Sequence, residues 1–311
     1  MKTNAKLIVN PNASGGRAKK IANIIGEKYQ NLFSEIVFTK RPLEAIELAS
    51  KSDGFEKLCF IGGDGTLNEV INGVLQIPLQ RRPAVGIIPV GTGSDFIKTL
   101  GIPKSVEHSV EVIVNGKTRD LDVAKCVFKD FNNRTVERYY INITEFGMGG
   151  EVANLVNKYG KVLKGTLPFL IFAIVCNFTF KNREILIRTD SENEKFREFR
   201  ANIRVVAVAN GRFYGGGMEI APRAKPDDGL LDVVIVKDMG SFETLKNMPL
   251  LYQGEKGFSK ALDTGKVLYF RAKKVEIENS DNLMIEMEGE VPGHSPTKFE
   301  ILPKQIKFLV P

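Results

Sequence analysis

Lys57-Leu58-Cys59-Phe60-Ile61-Gly62-Gly63-Asp64-Gly65-Thr66-Leu67-Asn68-Glu69 is the stretch on which the reading of the fold turns. Lys57–Ile61 has strand composition, three glycines then surround one carboxylate, and Thr66 to Leu75 reads as a helix. A strand, a glycine turn and a helix in direct succession make a βα unit of a parallel sheet. The same alternation extends outward on both sides. Lys6–Val9 reads as a strand and Arg17–Tyr29 as a helix with Ile21, Ile24 and Ile25 on one face. Glu35–Thr39 is the next strand, Leu43–Ser50 the next helix, and Val85–Val90 a fourth strand. After Asp120-Leu121-Asp122-Val123-Ala124-Lys125 strand-like segments follow one another with fewer helices between them. Arg138–Thr144, Arg183–Arg188, Ile203–Ala209, Leu231–Val236, Lys274–Ile277 and Leu283–Met287 are examples, interrupted by helical regions near Val152–Phe178 and Phe242–Leu251. Such runs predict an antiparallel sandwich. The expected organisation is therefore an α/β domain over residues 1–125 and a β-rich domain over 126–299. By pattern alone the closing strand Gln305–Val310 fits either.

A chain of 311 residues suits two domains, and 43% hydrophobic with 26% charged residues is enough to build sizeable cores. Lysine and arginine (44) exceed aspartate and glutamate (37) by 7, a modest excess spread along the chain. It favours phosphate-rich ligands or an anionic surface and does not single out nucleic acid. Cys59, Cys126 and Cys176 are far apart in apolar settings, which is neither a metal spacing nor a disulfide framework and points to a reducing cytosol. The start, Met1 to Val9, goes straight into a strand-like segment with too short an apolar run for export. Leu167–Phe180 is strongly apolar but interrupted by Pro168, Asn177 and Thr179, and is shorter than the roughly 20 residues of a membrane span. A buried helix is expected there, with an interfacial or lipid-lining helix as the alternative.

Three glycine-containing loops follow predicted strands, where open α/β sheets bind ligands. Asn10-Pro11-Asn12-Ala13-Ser14-Gly15-Gly16 permits a tight turn into a helix whose N-terminus suits an anion, although ordinary βα turns share this composition. Around Asp64, Gly62, Gly63 and Gly65 let backbone approach a ligand, Thr66 is placed to cap the helix or donate to phosphate, and Asn68 and Glu69 follow at once. Gly91-Thr92-Gly93-Ser94-Asp95-Phe96 adds hydroxyls and a second carboxylate, which could equally be a helix N-cap. The sequence contains no GxxxxGK[ST] loop and no protein-kinase signature set. Its two histidines, His108 and His294, lie in plain settings, which argues against histidine-based chemistry. Phosphoryl transfer needs positioning, Mg²⁺ and a carboxylate beside the accepting hydroxyl. Glycine loops with aspartates meet that description.

In order along the chain, these segments resemble the diacylglycerol kinase catalytic-domain family, in its bacterial lipid kinase branch of diacylglycerol and phosphatidylglycerol kinases. The resemblance spans nearly the whole chain. It rests on the Asn10-Pro11 loop, Phe38-Thr39-Lys40-Arg41, GGDGTLNEVING (Gly62–Gly73), GTGSDF (Gly91–Phe96), LDVAK (Leu121–Lys125) and YGGGMEIAPRAKPDDGLLDV (Tyr214–Val233). It implies a first domain similar to the NAD kinase and phosphofructokinase group, a β-rich sandwich as second domain, and return of residues 300–311 to the first. It also implies ATP in the cleft between the domains. By the same resemblance Asn10, Ser14, Thr39, Gly63, Asp64, Gly65, Thr66 and Thr92 hold the nucleotide, and we count Gly62, Asn68 and Glu69 with them. Asp95 and Asp122 are implied to join Asp64 in the charged network around catalytic Mg²⁺.

Lys225-Pro226-Asp227-Asp228-Gly229-Leu230 resembles the family's structural Mg²⁺ loop, with Asp228 and the Leu230 carbonyl as ligands. Lys225 stands where a neutral oxygen ligand is usual, and an Asp-Gly hairpin turn is the structural alternative. Glu288 of Glu288-Gly289-Glu290 occupies the position of the aspartate assigned as catalytic base in the family's Asp-Gly-Glu motif. One extra methylene shifts that carboxylate by about a bond length. Ser94, where asparagine is usual, is a milder departure. For the acceptor the sequence offers Gly147–Gly150, the apolar helix around Leu167–Cys176 and Phe213–Gly217, with Lys158, Lys161 and Lys164 suited to anionic headgroups. Core and solvated surface explain the same residues.

The expectation is a cytoplasmic, Mg²⁺-ATP-dependent kinase of a diacylglycerol-like lipid hydroxyl, reversibly associated with the inner membrane face; a homodimer is compatible with the pattern. Two alternatives stay open. A kinase of a soluble acceptor such as NAD shares GGDGT, but Asn68-Glu69 and YGGGMEIAP favour the lipid branch. A nucleotide- or lipid-binding regulator without catalysis is suggested by Glu288 and Lys225.

Overall fold

The computed structural model describes residues 4–29, 31–91, 93–159, 167–279 and 281–311, with the helical backbone alone at 167–169. The chain forms two compact units, Met1–Val123 with Pro303–Pro311 and Ala124–Leu302.

The first unit contains β1 (Ala5–Val9), α1 (Arg17–Lys28), β2 (Glu35–Phe38), α2 (Glu44–Ser50), β3 (Lys57–Gly62), α3 (Asp64–Val74), β4 (Ala84–Pro89), α4 (Asp95–Leu100), α5 (Val106–Asn115) and the start of β5 (Lys117–Lys129). Its strands lie in the order β4-β3-β1-β2, all parallel, with Phe308 of the returning chain paired in parallel to Val85 of β4. Every residue of β1 is buried, as in a sheet covered on both faces. Ala5, Leu7 and Val9 join Ala18, Ala22 and Ile25 of α1 and Val110 and Ile113 of α5 in one core cluster. Lys6, on the opposite face, donates from Nζ to the Leu48 carbonyl of α2 (3.0 Å). There α2 crosses α3 closely at Gly73, where any Cβ would strike the Ile46 carbonyl.

The β-branched run of α5 carries no strong helical signal. Ser105 supplies the cap, its Oγ accepting the His108 N–H (3.1 Å), and burial of Val110 and Ile113 supplies the rest.

The second unit continues β5 and adds β6 (Thr135–Tyr140), β7 (Ile143–Gly147), α6 (Met148–Tyr159), α7 (Leu167–Thr179), β8 (Arg183–Thr189), β9 (Glu198–Ala209), β10 (Phe213–Tyr214), β11 (Met218–Glu219), β12 (Leu231–Lys237), α8 (Ser241–Asn247), α9 (Gly254–Asp263), β13 (Val267–Ala272), β14 (Lys274–Glu278), β15 (Met284–Met287) and β16 (Glu290–Val310). One run of ladders is β13-β12-β9-β7-β15-β16, all antiparallel. The first half of β9 pairs with β8, and β8 with β14, which returns to β16. Strands β9 and β16 therefore each serve two layers, and the sandwich closes around an apolar core. Phe299 sits edge-on to both Tyr140 (6.2 Å) and Phe146 (5.7 Å) within it.

Two expectations change here. Arg138–Thr144 is not one strand. It breaks between β6 and β7, because the N–H groups of Ile141 and Asn142 turn to the Glu288 carboxylate instead of a ladder partner. The helix expected to be buried, α7, buries Cys176 and Asn177 but leaves Leu170, Ile171, Ile174, Val175 and Phe178 exposed. Among the described residues no helix is long and apolar enough to cross a membrane. All three cysteines are free and buried.

Candidate active site

Strands β1 and β3 are neighbours, while β2 lies outside β1 and β4 outside β3. Connections therefore diverge to either side of the β1/β3 pair, a switch point of the kind that opens a crevice at the strand ends. The loops after these strands are tied together. Asn10 donates its backbone N–H to the Ile61 carbonyl (3.2 Å) and its Nδ2 to Thr66 Oγ1 (3.1 Å). Ser14, Gly15 and Gly16 take φ of 52°, 65° and 89° in succession, leading into α1. A left-handed run ahead of a helix N-terminus is a concavity suited to an anion. Serine is strained in that conformation, as a side chain retained for its hydroxyl would be.

The glycines of the second loop divide into two kinds. A Cβ on Gly62 would lie 2.5 Å from Thr66 Cβ, and one on Gly63 would touch Gly91 Cα at 3.4 Å, whereas one on Gly65 meets nothing within 4 Å. Gly62 is required by packing, a Cβ on Gly63 would make only ordinary contact, and Gly65 leaves open space beside exposed backbone. Gly62→Ala is expected to destabilise the fold by about 1–3 kcal/mol through overpacking. With ATP held at this loop, as the sequence resemblance implies, Gly65→Ala should keep wild-type unfolding but lose between about tenfold and 10²-fold in kcat/KM for ATP. Denaturant unfolding and steady-state kinetics on both variants separate the two roles.

Helix α3 begins at Asp64 itself, earlier than the sequence suggests, so Thr66 is not its cap but a buried first-turn residue facing Asn10. Asp64 reaches across to α4: Oδ2 accepts the Asp95 N–H (3.1 Å) and Oδ1 the Phe96 N–H (3.3 Å). Asp95 is thus a first-turn residue, and the cap comes from 31 positions upstream. Asp95 is buried and its Oδ1 accepts from Lys98 Nζ (2.6 Å). A Cβ on Gly93 would stand 3.5 Å from an oxygen of each aspartate, so the two carboxylates converge there. Burial, with the Asp95 charge adding to it, holds the Asp64 carboxyl above the usual range.

Ser94 is buried at φ 45° and donates from Oγ to the Gly91 carbonyl (3.0 Å). Thr39 is buried, its N–H donating to the Val9 carbonyl (2.9 Å). Thr92 lies outside the described residues. Three further candidates also have structural partners. Asp122, fully buried, accepts the Lys304 N–H (2.8 Å) and anchors the returning chain. Glu69 Oε2 accepts the Ala45 N–H (3.2 Å) at the start of α2, and Asn68 accepts from Asn72 Nδ2 through its carbonyl (2.9 Å).

In the second unit, Glu288 and Gly289 form the two-residue turn between β15 and β16, with φ of 51° and 92°. Two successive positive φ values are the hairpin geometry that follows sheet twist. The Glu288 side chain folds back, and its Oε1 accepts the N–H groups of Ile141 (2.8 Å) and Asn142 (2.7 Å). Asn210 Nδ2 holds the Ile141 carbonyl (2.7 Å) and Asn142 Nδ2 the Phe213 carbonyl (3.0 Å), so the bend is braced on both sides.

Beside this turn is a pair of acids that sequence reasoning did not single out. Glu145 on β7 and Glu286 on β15 are direct cross-strand partners. Glu286 Oε1 accepts the Gly289 N–H (2.5 Å), and a Cβ on Gly149 would strike the Glu145 carboxylate. Burial and then the Glu286 charge push Glu145 well up, and burial pushes Glu286 up to about 7. The signal available was a pair of glutamates at strand positions, which alternation alone reads as solvent-facing. An acid raised in the folded state is neutral there where the unfolded chain is already ionised, so the cost grows as pH rises from about 4.5 and is complete above about 7. Glu286→Gln is therefore expected to raise Tm above pH 7 by about 2–4 °C. That gain should vanish near pH 4.5. A gain that is constant with pH would show that ionisation is not its source.

The second-domain metal loop has a different partner. Asp228 Oδ1 accepts the Leu230 N–H (3.2 Å), its Oδ2 pairs with Arg271 (3.3 Å), and Lys225 is exposed. A guanidinium on the carboxylate and an ammonium in place of an oxygen donor fit an ion pair rather than a hard cation. Among the described residues no cluster of three or more histidine, cysteine or acidic side chains is placed to hold a metal. Asp64 and Asp95 remain the oxygen donors whose mutual repulsion a divalent cation would relieve.

Residues 4–126 match the diacylglycerol kinase catalytic domain, and residues 142–310 match the YegS C-terminal NAD kinase beta sandwich-like domain. A diacylglycerol kinase of Staphylococcus haemolyticus is 30% identical over 270 residues, covering 86% of this chain and 74% of that protein. The diacylglycerol kinase of Bacillus subtilis is 28% identical over 258 residues, covering 83% and 78%. A crystal structure of a diacylglycerol kinase from Bacillus anthracis superposes with a TM-score of 0.72 at 23% identity, covering 100% and 97%, and shows the same fold. With its glycine loops at the sheet switch point and its NAD kinase-like sandwich, the chain belongs to the diacylglycerol kinase family of lipid kinases.

Proposed function

We propose that this kinase transfers the γ-phosphoryl group of Mg²⁺-ATP to the hydroxyl of a diacylglycerol-like membrane lipid. The observation that carries it is the convergence of the Asn10–Gly16, Gly62–Thr66 and Gly91–Asp95 loops, with Asp64 and Asp95 meeting at Gly93. Backbone N–H groups of these loops, with Ser14, Thr39, Thr66 and Thr92, take the nucleotide. Asp64 and Asp95 hold the magnesium ion, which supplies charge neutralisation on the phosphates when bound. Asp122 supports them by fixing the returning chain. Glu288 takes the proton of the acceptor hydroxyl, held in place by Ile141 and Asn142. The enzyme works at the cytoplasmic membrane face, where its acceptor resides.

Purified protein, labelled ATP and mixed micelles of diacylglycerol test this directly. Labelled phosphatidic acid that disappears with Asp64→Ala is the expected result. Absence of labelled lipid, or label that instead enters NAD, would overturn the assignment.

A further inference from the structure

Helix α7 turns an apolar face outward. Leu170, Ile171, Ile174, Val175 and Phe178 are 39–53% exposed, and their spacing places them on one side of the helix. Phe242 of α8 is 81% exposed and meets Phe178 edge to face at 5.8 Å, extending the patch. The opposite side is clamped. Asn177 Nδ2 donates to the Ser241 carbonyl (3.0 Å), Ser241 Oγ donates to the Asn177 carbonyl (2.6 Å), and buried Arg204 donates to Asn177 Oδ1 (2.8 Å). The helix is therefore fixed with this face out, and contiguous exposed apolar surface of this kind marks an interaction site.

We propose that this face of α7, with Phe242, lies on an anionic lipid bilayer. Charge selects the occupant. From Val152 to Arg183 the sequence has no aspartate or glutamate and contains Lys158, Lys161, Lys164, Lys181 and Arg183, the last of which pairs with Asp281 (3.4 Å). Lys158 and Lys181, near the two ends of this region, are exposed. Apolar side chains flanked by the exposed Lys158 and Lys181 suit acyl chains beneath acidic headgroups. A second copy of the chain would bring like charges together across a two-fold axis. At 13 residues α7 is about 20 Å long, too short to span a bilayer core of about 30 Å, so it lies in the interface plane. The inference rests on the lipid-kinase reading only for its purpose, since it would bring the enzyme to the surface that holds its acceptor.

The test compares wild type with Leu170→Gln/Ile174→Gln/Phe178→Gln, exposed positions changed to a good helix former, with thermal unfolding to verify the fold. Wild type should co-sediment with vesicles of phosphatidylglycerol and phosphatidylcholine more strongly than with phosphatidylcholine alone. The triple variant should lose about tenfold or more of that partition. Its affinity for Mg²⁺-ATP, read by titration calorimetry, should be unchanged. Equal partition of variant and wild type, no partition of wild type, or conversion of a wild-type dimer to monomer by the substitutions would each overturn the proposal. Loss of partition by the variant while neither protein phosphorylates diacylglycerol in any form would support the docking face and refute the acceptor instead.

Discussion

Asp64→Asn is expected to lower kcat by about 10²–10³, the usual loss when a charge-stabilising group leaves a phosphoryl-transfer site. The fold should stay within about 1 kcal/mol of wild type. The two effects separate because Asp64 has two partners. Its oxygens accept the first N–H groups of α4, a capping role that an asparagine oxygen partly keeps. In the proposed function its negative charge, converging with that of Asp95 at Gly93, serves the magnesium-bound phosphates, and asparagine lacks it. Asp64→Ala removes the cap as well and should cost a further 0.5–2 kcal/mol or about that. Steady-state kinetics with diacylglycerol micelles and urea unfolding of both variants provide the comparison. Wild-type turnover in Asp64→Asn would reduce this residue to a helix cap.

Glu288→Gln is expected to lower kcat by about 10²–10⁴, the contribution of a positioned general base. Glutamine keeps an oxygen able to accept from Ile141 and Asn142, so the hairpin should hold its shape. Glu288→Ala leaves those two N–H groups without their acceptor and should cost about 1–3 kcal/mol in stability as well. Glu288→Asp shortens the reach of a side chain whose extra methylene is used to fold back onto the Ile141–Asn142 bend. Its stability should fall towards that of the alanine variant. A Glu288→Gln enzyme with wild-type kcat and normal pH dependence would assign Glu288 to architecture alone and move the search for the base to Glu145 and Glu286.

Much of this was legible along the chain. The β3-loop-α3 unit is readable because three glycines around a carboxylate exceed what a turn needs, and the strand before them is uniformly apolar. The second unit was readable as β-rich from successive short strands. Other features carried no local mark. Helix α5 looks like a β-branched run, and its cap and its packing against the sheet override that propensity. The Glu145 and Glu286 pair sits at ordinary strand positions, and only the pairing of β7 with β15 makes the two carboxyls neighbours. Helix α7 has apolar residues on all sides, so periodicity could not tell which side the fold would leave uncovered.

By itself the sequence determined the parallel βα character of the first unit, the β-rich second unit, the glycine loops and the family resemblance. These depend on residues within a few positions of one another, where periodicity and the conformational freedom of glycine act directly. The tertiary structure decided what each side chain does. It alone shows that Gly62 is required by Thr66 while Gly65 faces open space, and that Asp64 caps a helix 31 positions away. It alone shows that Glu288 is held by backbone 147 positions earlier and that α7 points its apolar face outward. Those partners are set by chain crossings and burial, and no local pattern encodes which distant backbone a carboxylate will meet.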